Sequence, residues 1–165
     1  MIDPTAYIAK GSVVIGDVAL GKEASVWYNT VVRGDMAPIT VGDQTNIQDL
    51  SVVHVDTGFP CAIGNRVSVG HRVILHGCTV EDDCLIGMGS ILLNGVHLGE
   101  GSIVGAGAVV LQNTVIPPGS LVLGFPAKVV RPVDDTLTSQ IELTWKHYVK
   151  EAEDHRSGAF EWKSS

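Results

Sequence analysis

The sequence is poor in aromatic side chains and has no cluster of positive charge. Aromatic residues make up 5% of the 165 residues and hydrophobic residues 45%, so small and β-branched aliphatic side chains must fill the core. Lysine and arginine total 11 against 18 acidic residues, which gives a net charge of -7. This balance argues against nucleic acid and against an anionic membrane surface as partners.

Long apolar runs and paired cysteines are also missing. No run approaches the roughly 18 unbroken apolar residues of a membrane span, and residues 1–5 lack the basic and apolar regions of a signal peptide. Cys61, Cys78 and Cys84 form no CxxC pair and leave one cysteine over, which fits a reducing compartment. We therefore expect a cytoplasmic protein whose cysteines are small buried hydrophobic residues.

Aliphatic residues recur at every sixth position over most of the chain. Slips of three and four residues separate the first two frames from those that follow, and in the last frame the position two before each aliphatic residue is usually small. The frames are Ile8, Val14, Leu20, Val26 and Val32; Val41, Ile47 and Val53; Ile63, Val69 and Leu75; and Val80, Ile86, Leu92, Leu98, Val104, Val110, Ile116 and Val122.

A period of six excludes an α-helix and a simple strand. Residues six apart lie on opposite faces of a helix with about 3.6 residues per turn, and a strand alternates with period two. In a triangular coil of three six-residue strands, each strand directs one aliphatic residue inward, and small residues and glycines allow the sharp corners. We therefore predict an all-β fold, a parallel β-helix of about seven coils over residues 1–130.

A different pattern follows the repeat over residues 131–156. An apolar stripe at helical spacing predicts a C-terminal α-helix that packs back along one face of the coil. We interpret the stripe as packing rather than as a cofactor surface. Residues 157–165 show no pattern, which predicts a frayed tail. The stripe consists of Leu137, Ile141, Trp145, Tyr148 and Ala152.

Three of the six histidines stand in a fixed relation to the coil. His54 and His76 each follow an inward residue, and the 22 residues between them equal one coil plus the four-residue slip. Their side chains should stack on adjacent coils about 4.8 Å apart, with Arg33 in the same column. His71 follows Gly70 on the preceding face, so it should point away from this pair. The remaining histidines are interpreted as surface residues: His97, His147 and His155.

This arrangement predicts a metal site shared between subunits. A catalytic zinc site uses three protein ligands and keeps one position open for water. Two stacked histidines and a third directed elsewhere do not complete such a site within one chain, but a threefold axis would bring His71 of one subunit to His54 and His76 of another. We therefore predict a homotrimer with divalent metal ions at its interfaces. Any one of these histidines taken alone would be interpreted as a surface residue.

The residues around this lattice resemble the γ-class carbonic anhydrases, which are left-handed β-helix trimers with a C-terminal helix. The resemblance implies that His54, His71 and His76 bind the metal, with Zn²⁺ as the default and Fe²⁺ or Co²⁺ compatible with the same ligands. It also implies hydration of CO2 to bicarbonate by hydroxide formed on the metal. The matching motifs are Val32-Arg33-Gly34-Asp35, Val41-Gly42, Thr45-Asn46-Ile47-Gln48-Asp49, Ser51, His54, Ile63-Gly64, Val69-Gly70-His71 and Leu75-His76-Gly77-Cys78.

The same resemblance implies roles for polar residues near the histidines. Arg33 and Asp35 would form an ion pair across the subunit interface. Gln48, together with Asn46 and Asp49, would line the pocket and contact the metal-bound water or bicarbonate. Without the resemblance, Asn46, Gln48 and Asp49 are equally well explained as corner residues that cap turns.

Two features depart from the pattern of the active family members. Met36 stands where those members carry a glutamate. The loop after His54 is short and offers only Asp56 in place of several acidic residues that shuttle protons. The sequence therefore predicts metal binding with weak hydration activity.

Other functions use the same coil. Hexapeptide acyltransferases often end in a glycine-x-proline-alanine-lysine segment like residues 124–128, and they use one histidine as a general base with coenzyme A bound along the coil. They have no need of three histidines in a metal lattice, and the added acceptor-binding segment they usually carry is missing here. A metal-dependent acyl-CoA thioesterase and a non-catalytic metal-binding scaffold subunit are the further alternatives.

Overall fold

A computed structural model describes residues 1–160 and residue 163. Within these residues the chain forms eighteen β-strands, most of them short, and then one α-helix, α1, over Asp135–Arg156. The strands are β1 (Tyr7–Ile8), β2 (Val13–Leu20), β3 (Ser25–Val26), β4 (Val31–Val41), β5 (Asn46–Ile47), β6 (Val52–His54), β7 (Cys61–Ile63), β8 (Ser68–Val69), β9 (Ile74–His76), β10 (Thr79–Val80), β11 (Leu85–Ile86), β12 (Ile91–Leu92), β13 (His97–Leu98), β14 (Ile103–Val104), β15 (Val109–Val110), β16 (Val115–Ile116), β17 (Ser120–Gly124) and β18 (Ala127–Pro132).

The strands stack in parallel on the three faces of a triangular coil. The first face consists of β1, β3, β5, β8, β11, β14 and β17, and the antiparallel strand β18 closes its end. The other two faces meet in β4, whose first half pairs with β6 and whose second half pairs with β7. The second face continues through β9, β12 and β15, and the third through β10, β13 and β16.

The predicted hexapeptide-repeat β-helix is confirmed, with about six turns rather than seven. The seven parallel strands of the first face enclose six complete turns. The count is lower than expected partly because the slips lengthen two turns, so that Val26 pairs with Ile47 and Ile47 with Val69. The chain therefore uses more residues for these turns than a regular repeat would. In addition, residues 127–132 form the antiparallel strand β18 and not a further turn of the coil.

From Leu20 onward the repeated aliphatic residues fill the interior as the sequence predicted, whereas Ile8 in the first turn is 39% exposed. Val53, Leu75, Ile86 and Leu92 in the middle of the coil have no exposed surface. Stacking of one aliphatic residue on the next removes apolar surface from water on every turn, and this burial is the main stabilising contribution. The three cysteines are free and buried, as expected of small hydrophobic residues: Cys61, Cys78 and Cys84.

The small residues two positions before the aliphatic residues serve the corners of the coil. Several of these residues carry buried hydroxyl groups, which donate hydrogen bonds to carbonyl oxygens of the neighbouring turn. Thr45 Oγ1 lies 2.7 Å from the Gly64 oxygen, and Ser51 Oγ lies 3.0 Å from the Gly70 oxygen. A carbonyl buried without a partner would be costly, so these hydroxyls allow the chain to turn inside a tightly packed structure.

The C-terminal helix is confirmed and lies against the first face, in contact with β1, β3, β5 and β8. Asp134 caps its N-terminus, because its carboxylate accepts from the Leu137 backbone N–H at 3.0 Å. Ile141 and Ala152 of the predicted stripe are buried. None of the helical residues that the structure describes forms a segment long and apolar enough to span a bilayer.

The end of the helix joins a cluster of aromatic rings and corrects one expectation. His155 contacts the rings of Trp27 and Phe160 at centroid distances of 5.1 and 4.6 Å, and its Nδ1 lies 2.9 Å from the Tyr28 hydroxyl. Its side chain is 18% exposed, so it is part of the packing between helix and coil rather than a surface histidine. The predicted frayed tail falls partly on residues 161, 162, 164 and 165, which lie outside the described residues.

Replacement of one inward aliphatic residue should destabilise the coil strongly. Ile86→Ala removes a completely buried side chain, and we expect it to lower the free energy of unfolding by about 2–5 kcal/mol. Leu143→Ala on the helix is the control, because Leu143 is 69% exposed and its loss should cost less than about 0.5 kcal/mol. Denaturant unfolding at one fixed protein concentration measures both, and equal losses would contradict the core assignment.

Candidate metal centre

Arg33, His54 and His76 form one outward column on the second face. Strand pairing aligns Arg33 with His54 and His54 with His76, as the spacing of the sequence predicted. His54 Nδ1 and His76 Nε2 face each other at 3.1 Å, and the two ring centroids lie 5.0 Å apart. The two imidazoles therefore direct one nitrogen each toward a common point.

The separation of these two nitrogens fits a shared cation. Two imidazole ligands of one tetrahedral zinc ion, each at about 2.0–2.1 Å, lie about 3.3 Å apart. The observed 3.1 Å is close to this value. Because metals bind the neutral imidazole through its lone pair, the two rings present the donors that such an ion requires.

Each of the three predicted ligands has its other ring nitrogen held by a side-chain oxygen. His54 Nε2 lies 3.0 Å from Asp35 Oδ1, and His71 Nδ1 lies 2.8 Å from Asp49 Oδ2. His76 Nδ1 lies 2.6 Å from the side-chain oxygen of Asn94, which is 18 residues, or one turn of the coil, further on. Metal-binding histidines almost always donate their second N–H to such an acceptor, which fixes the ring and its tautomer. The pattern leaves His54 Nδ1, His76 Nε2 and His71 Nε2 as the three nitrogens available to a metal.

His71 lies at a different corner of the coil from the other two histidines. It follows β8 on the first face, where Asp49 and Tyr148 are its neighbours. Over the residues that the structure describes, no group of three or more His, Cys, Asp or Glu side chains is close enough to hold a metal ion. One chain thus carries a pair of histidines on one side and a single histidine on another.

Asp35 contacts both Arg33 and His54 within the same chain. Its carboxylate forms an ion pair with the Arg33 guanidinium and accepts from His54. The hydrogen bond from His54, and then that from Arg33, lowers the pKa of Asp35, so the carboxylate stays ionised. The structure therefore places the predicted Arg33–Asp35 pair beside His54, while its predicted position across a subunit interface stays a prediction.

Gln48 and Asn46 lie on the side of His71. Gln48 Nε2 donates to Asn46 Oδ1 at 3.0 Å, and Asn46 Nδ2 donates to Ser68 Oγ at 2.9 Å. All three residues are buried, so this chain of hydrogen bonds fixes the orientation of the Gln48 amide. Gln48 and His71 line one groove of about 440 Å³ together with Tyr148.

Tyr148, which the helical stripe predicts to pack against the coil, also lies beside His71. Its hydroxyl lies 3.4 Å from His71 Nε2, the nitrogen that Asp49 does not hold. Burial, and then the charges of Asp49 and Glu151, raises the pKa of Tyr148 to about 12, so the phenol is neutral near pH 7. The helical stripe gave no signal for this role, because a tyrosine that packs and a tyrosine that overhangs a site have the same spacing.

The fold and the two separate histidine positions define a hexapeptide-repeat protein with imidazole groups on the outside of its coil. Two family models agree with this class. The model described as bacterial transferase hexapeptide (six repeats) matches residues 77–112, and the model of the hexapeptide repeat of succinyl-transferase matches residues 60–93.

Relatives that align with nearly the whole chain identify the family within this class. A protein of Methanocaldococcus jannaschii named probable carbonic anhydrase is 52% identical over 93% of this chain and 96% of its own length. The mitochondrial gamma carbonic anhydrase 2 of Arabidopsis thaliana is 44% identical over 95% of this chain and 59% of its own length. The chain therefore belongs to the γ-class carbonic anhydrase family.

A solved structure with the same fold carries a different name. A Bacillus cereus protein whose name proposes an acetyltransferase superposes with a TM-score of 0.93 and 42% identity, over 94% of this chain and 91% of that one. The coil alone therefore does not separate the two activities, and the side chains on its outer faces must do so.

Proposed function

We propose that the protein is a trimeric carbonic anhydrase that binds one divalent cation at each interface, with His54 and His76 from one subunit and His71 from the next. The observation that carries the proposal is the state of the three imidazoles. Each has one nitrogen held by the side-chain oxygen of Asp35, Asp49 or Asn94. The other nitrogens of His54 and His76 meet at 3.1 Å, and that of His71 faces the Tyr148 hydroxyl at 3.4 Å. A general-base histidine of an acyltransferase would not require this arrangement three times.

A row of exposed and half-buried aliphatic side chains supports a subunit interface on the histidine face. We call it the aliphatic ladder; its members stack in register on the second face, and three of them stand two residues before Arg33, His54 and His76. Val52 and Ile74 are 36% and 37% exposed. A continuous apolar surface of this kind is typical of an interaction site. The ladder consists of Val13, Val31, Val52, Ile74, Ile91 and Val109.

The groove beside His71 is the matching surface. Gly70, Gly87 and Gly105 stack there, and Met88 follows Gly87 as His71 follows Gly70. A Cβ atom on Gly87 would lie 2.4 Å from the Ala106 nitrogen, so this position has no room for a side chain and the backbone itself forms the surface. We propose that the ladder of one subunit packs beside this groove of the next. Because the ladder and the groove are different surfaces, the contact is head-to-tail, and with the proposed threefold rotation it closes as a ring.

Three imidazoles make Zn²⁺ the default cation, and Fe²⁺ or Co²⁺ suits the same donors. When bound, a cation of this type lowers the pKa of a coordinated water to about 7, which makes hydroxide available at neutral pH for attack on CO2. Gln48, held by Asn46, would orient the substrate or bicarbonate with its amide. Asp49 and Asp35 would orient His71 and His54.

Proton removal is the weak part of the proposed site. Met36 is 50% exposed and has no titratable group, and Asp56 accepts a hydrogen bond from Asn94. The chain therefore offers no free carboxylate at the positions where active relatives are expected to carry one. We propose that buffer molecules carry the protons away from the site, which limits the rate of hydration.

The cytoplasmic location of the protein stays a prediction.

An acyltransferase is the second candidate, because it is favoured by the likeness to the Bacillus cereus structure. In that case His54, His71 or His76 would act as a lone general base, and coenzyme A rather than a cation would bind along the coil. A metal-dependent acyl-CoA thioesterase would need both a bound cation and a site for coenzyme A. Metal content and coenzyme A binding, measured on the same trimer, separate these candidates.

Mixed trimers test the divided site directly. We expect His71→Ala alone and His54→Ala alone to lose the metal and CO2 hydration. Co-assembly of the two variants in equal amounts should restore about a quarter of the metal sites, because a head-to-tail interface is intact when one variant supplies His71 and the other supplies the pair. Metal analysis and a CO2 hydration assay on the mixture measure this. A mixture as empty as its parents would show that the site is not shared.

A charge on the aliphatic ladder should dissociate the trimer. Ile74→Asp would bury an unpaired carboxylate in the proposed interface, which is strongly unfavourable, so we expect mass near the single-chain 17.4 kDa instead of three times this value. Val115→Asp is the matched control, because Val115 is 72% exposed on the third face. Sedimentation and circular dichroism provide mass and fold. A folded trimer of Ile74→Asp would refute the interface.

A further inference from the structure

The far nitrogen of His76 is held by an amide that is itself oriented by a carboxylate. Asn94 is 8% exposed and lies between His76 and the loop that follows His54. Its Oδ1 lies 2.6 Å from His76 Nδ1, and its Nδ2 lies 3.0 Å from Asp56 Oδ2. Asn94 and Asp56 were not among the residues that sequence reasoning placed at the metal.

The order of these contacts determines which way the amide points. An ionised carboxylate only accepts hydrogen bonds, so the Asn94 group facing Asp56 must be the NH₂ end. The carbonyl end then faces His76 and must accept from its Nδ1–H. His76 is thereby held as the tautomer whose Nε2 carries the lone pair, and Nε2 is the atom that faces His54.

The surrounding backbone is shaped for this contact. Gly77 has a φ of 55°, and a Cβ atom there would lie 2.6 Å from Asn94 Oδ1 and 2.7 Å from Phe59 Cβ. Any side chain at Gly77 would therefore push Asn94 away from His76. Asp56 is fixed as well, because its carbonyl accepts from the Phe59 N–H at 2.9 Å and turns the loop back.

We propose that Asn94 and Asp56 are positioning residues of the metal centre, which act as a relay that sets the tautomer and the direction of the His76 ring. The inference rests on the proposed function, because it presumes that His76 binds a cation. In this relay Asp56 acts on the metal through Asn94 and not as an acceptor of protons from water.

A charge swap tests the relay. Asp56→Asn removes the carboxylate that orients the amide, so Asn94 can turn its NH₂ toward His76 and the affinity for Zn²⁺ and Co²⁺ should fall by about 10-fold or more. The double variant Asn94→Asp with Asp56→Asn restores the direction, since the carboxylate introduced at position 94 would accept from both His76 and the new amide at position 56. We therefore expect it to recover most of the lost affinity.

Dissociation constants from competition with a chelating dye measure these effects on the whole trimer, beside mass and circular dichroism. Asn113→Asp is the control, because it introduces the same negative charge as Asn94→Asp but at the corner stacked above Gly95. We expect it to leave the metal affinity unchanged. Metal affinity in Asp56→Asn equal to that of the unmodified chain, or a double variant weaker than Asp56→Asn, would overturn the relay. An unmodified chain that binds neither cation would instead overturn the proposed metal centre itself.

Discussion

The structure depends on the registered stacking of one turn of the coil on the next. Each inward aliphatic residue stacks on its counterpart in the next turn, as Val53 stacks on Leu75. A slip of one residue would turn every aliphatic side chain outward. This constraint also fixes the outer surface. Side chains next to the core residues must form columns, so His54 and His76 are brought together by the packing of the interior and not by any attraction between them.

This coupling explains how much of the molecule could be predicted from the sequence. The period of six gave the core, the columns and the pairing of His54 with His76, because all three follow from one register. The separate position of His71 followed from the same rule. The number of turns was overestimated, because the slips between Val26 and Val69 lengthen two turns and the end of the predicted coil forms the antiparallel strand β18. Gly124–Lys128, which resembles a segment of acyltransferases, forms part of a hairpin that closes the first face.

The residues that were missed are those whose place depends on contacts outside the register. Tyr148 and His155 lie on a helix whose rotation over the coil is set by its own packing, so the repeat gives no information about their neighbours. Asn94 was missed because it sits at a corner, where asparagine is common for reasons of backbone conformation alone. Asp56 was noticed only as a possible proton acceptor, because its hydrogen bond to Asn94 joins residues 38 positions apart.

The division of the ligands between two faces has a consequence for assembly. In the proposed trimer a cation contacts two subunits at once, so binding of the cation and closure of the ring must stabilise each other. The aliphatic ladder lies beside His54 and His76 and not on a remote face, which places the apolar contact and the ligands in one interface. A hexapeptide coil without histidines in these columns would keep its fold and the ladder while losing this linkage. The same architecture can thus serve different chemistries, and the outward columns decide between them.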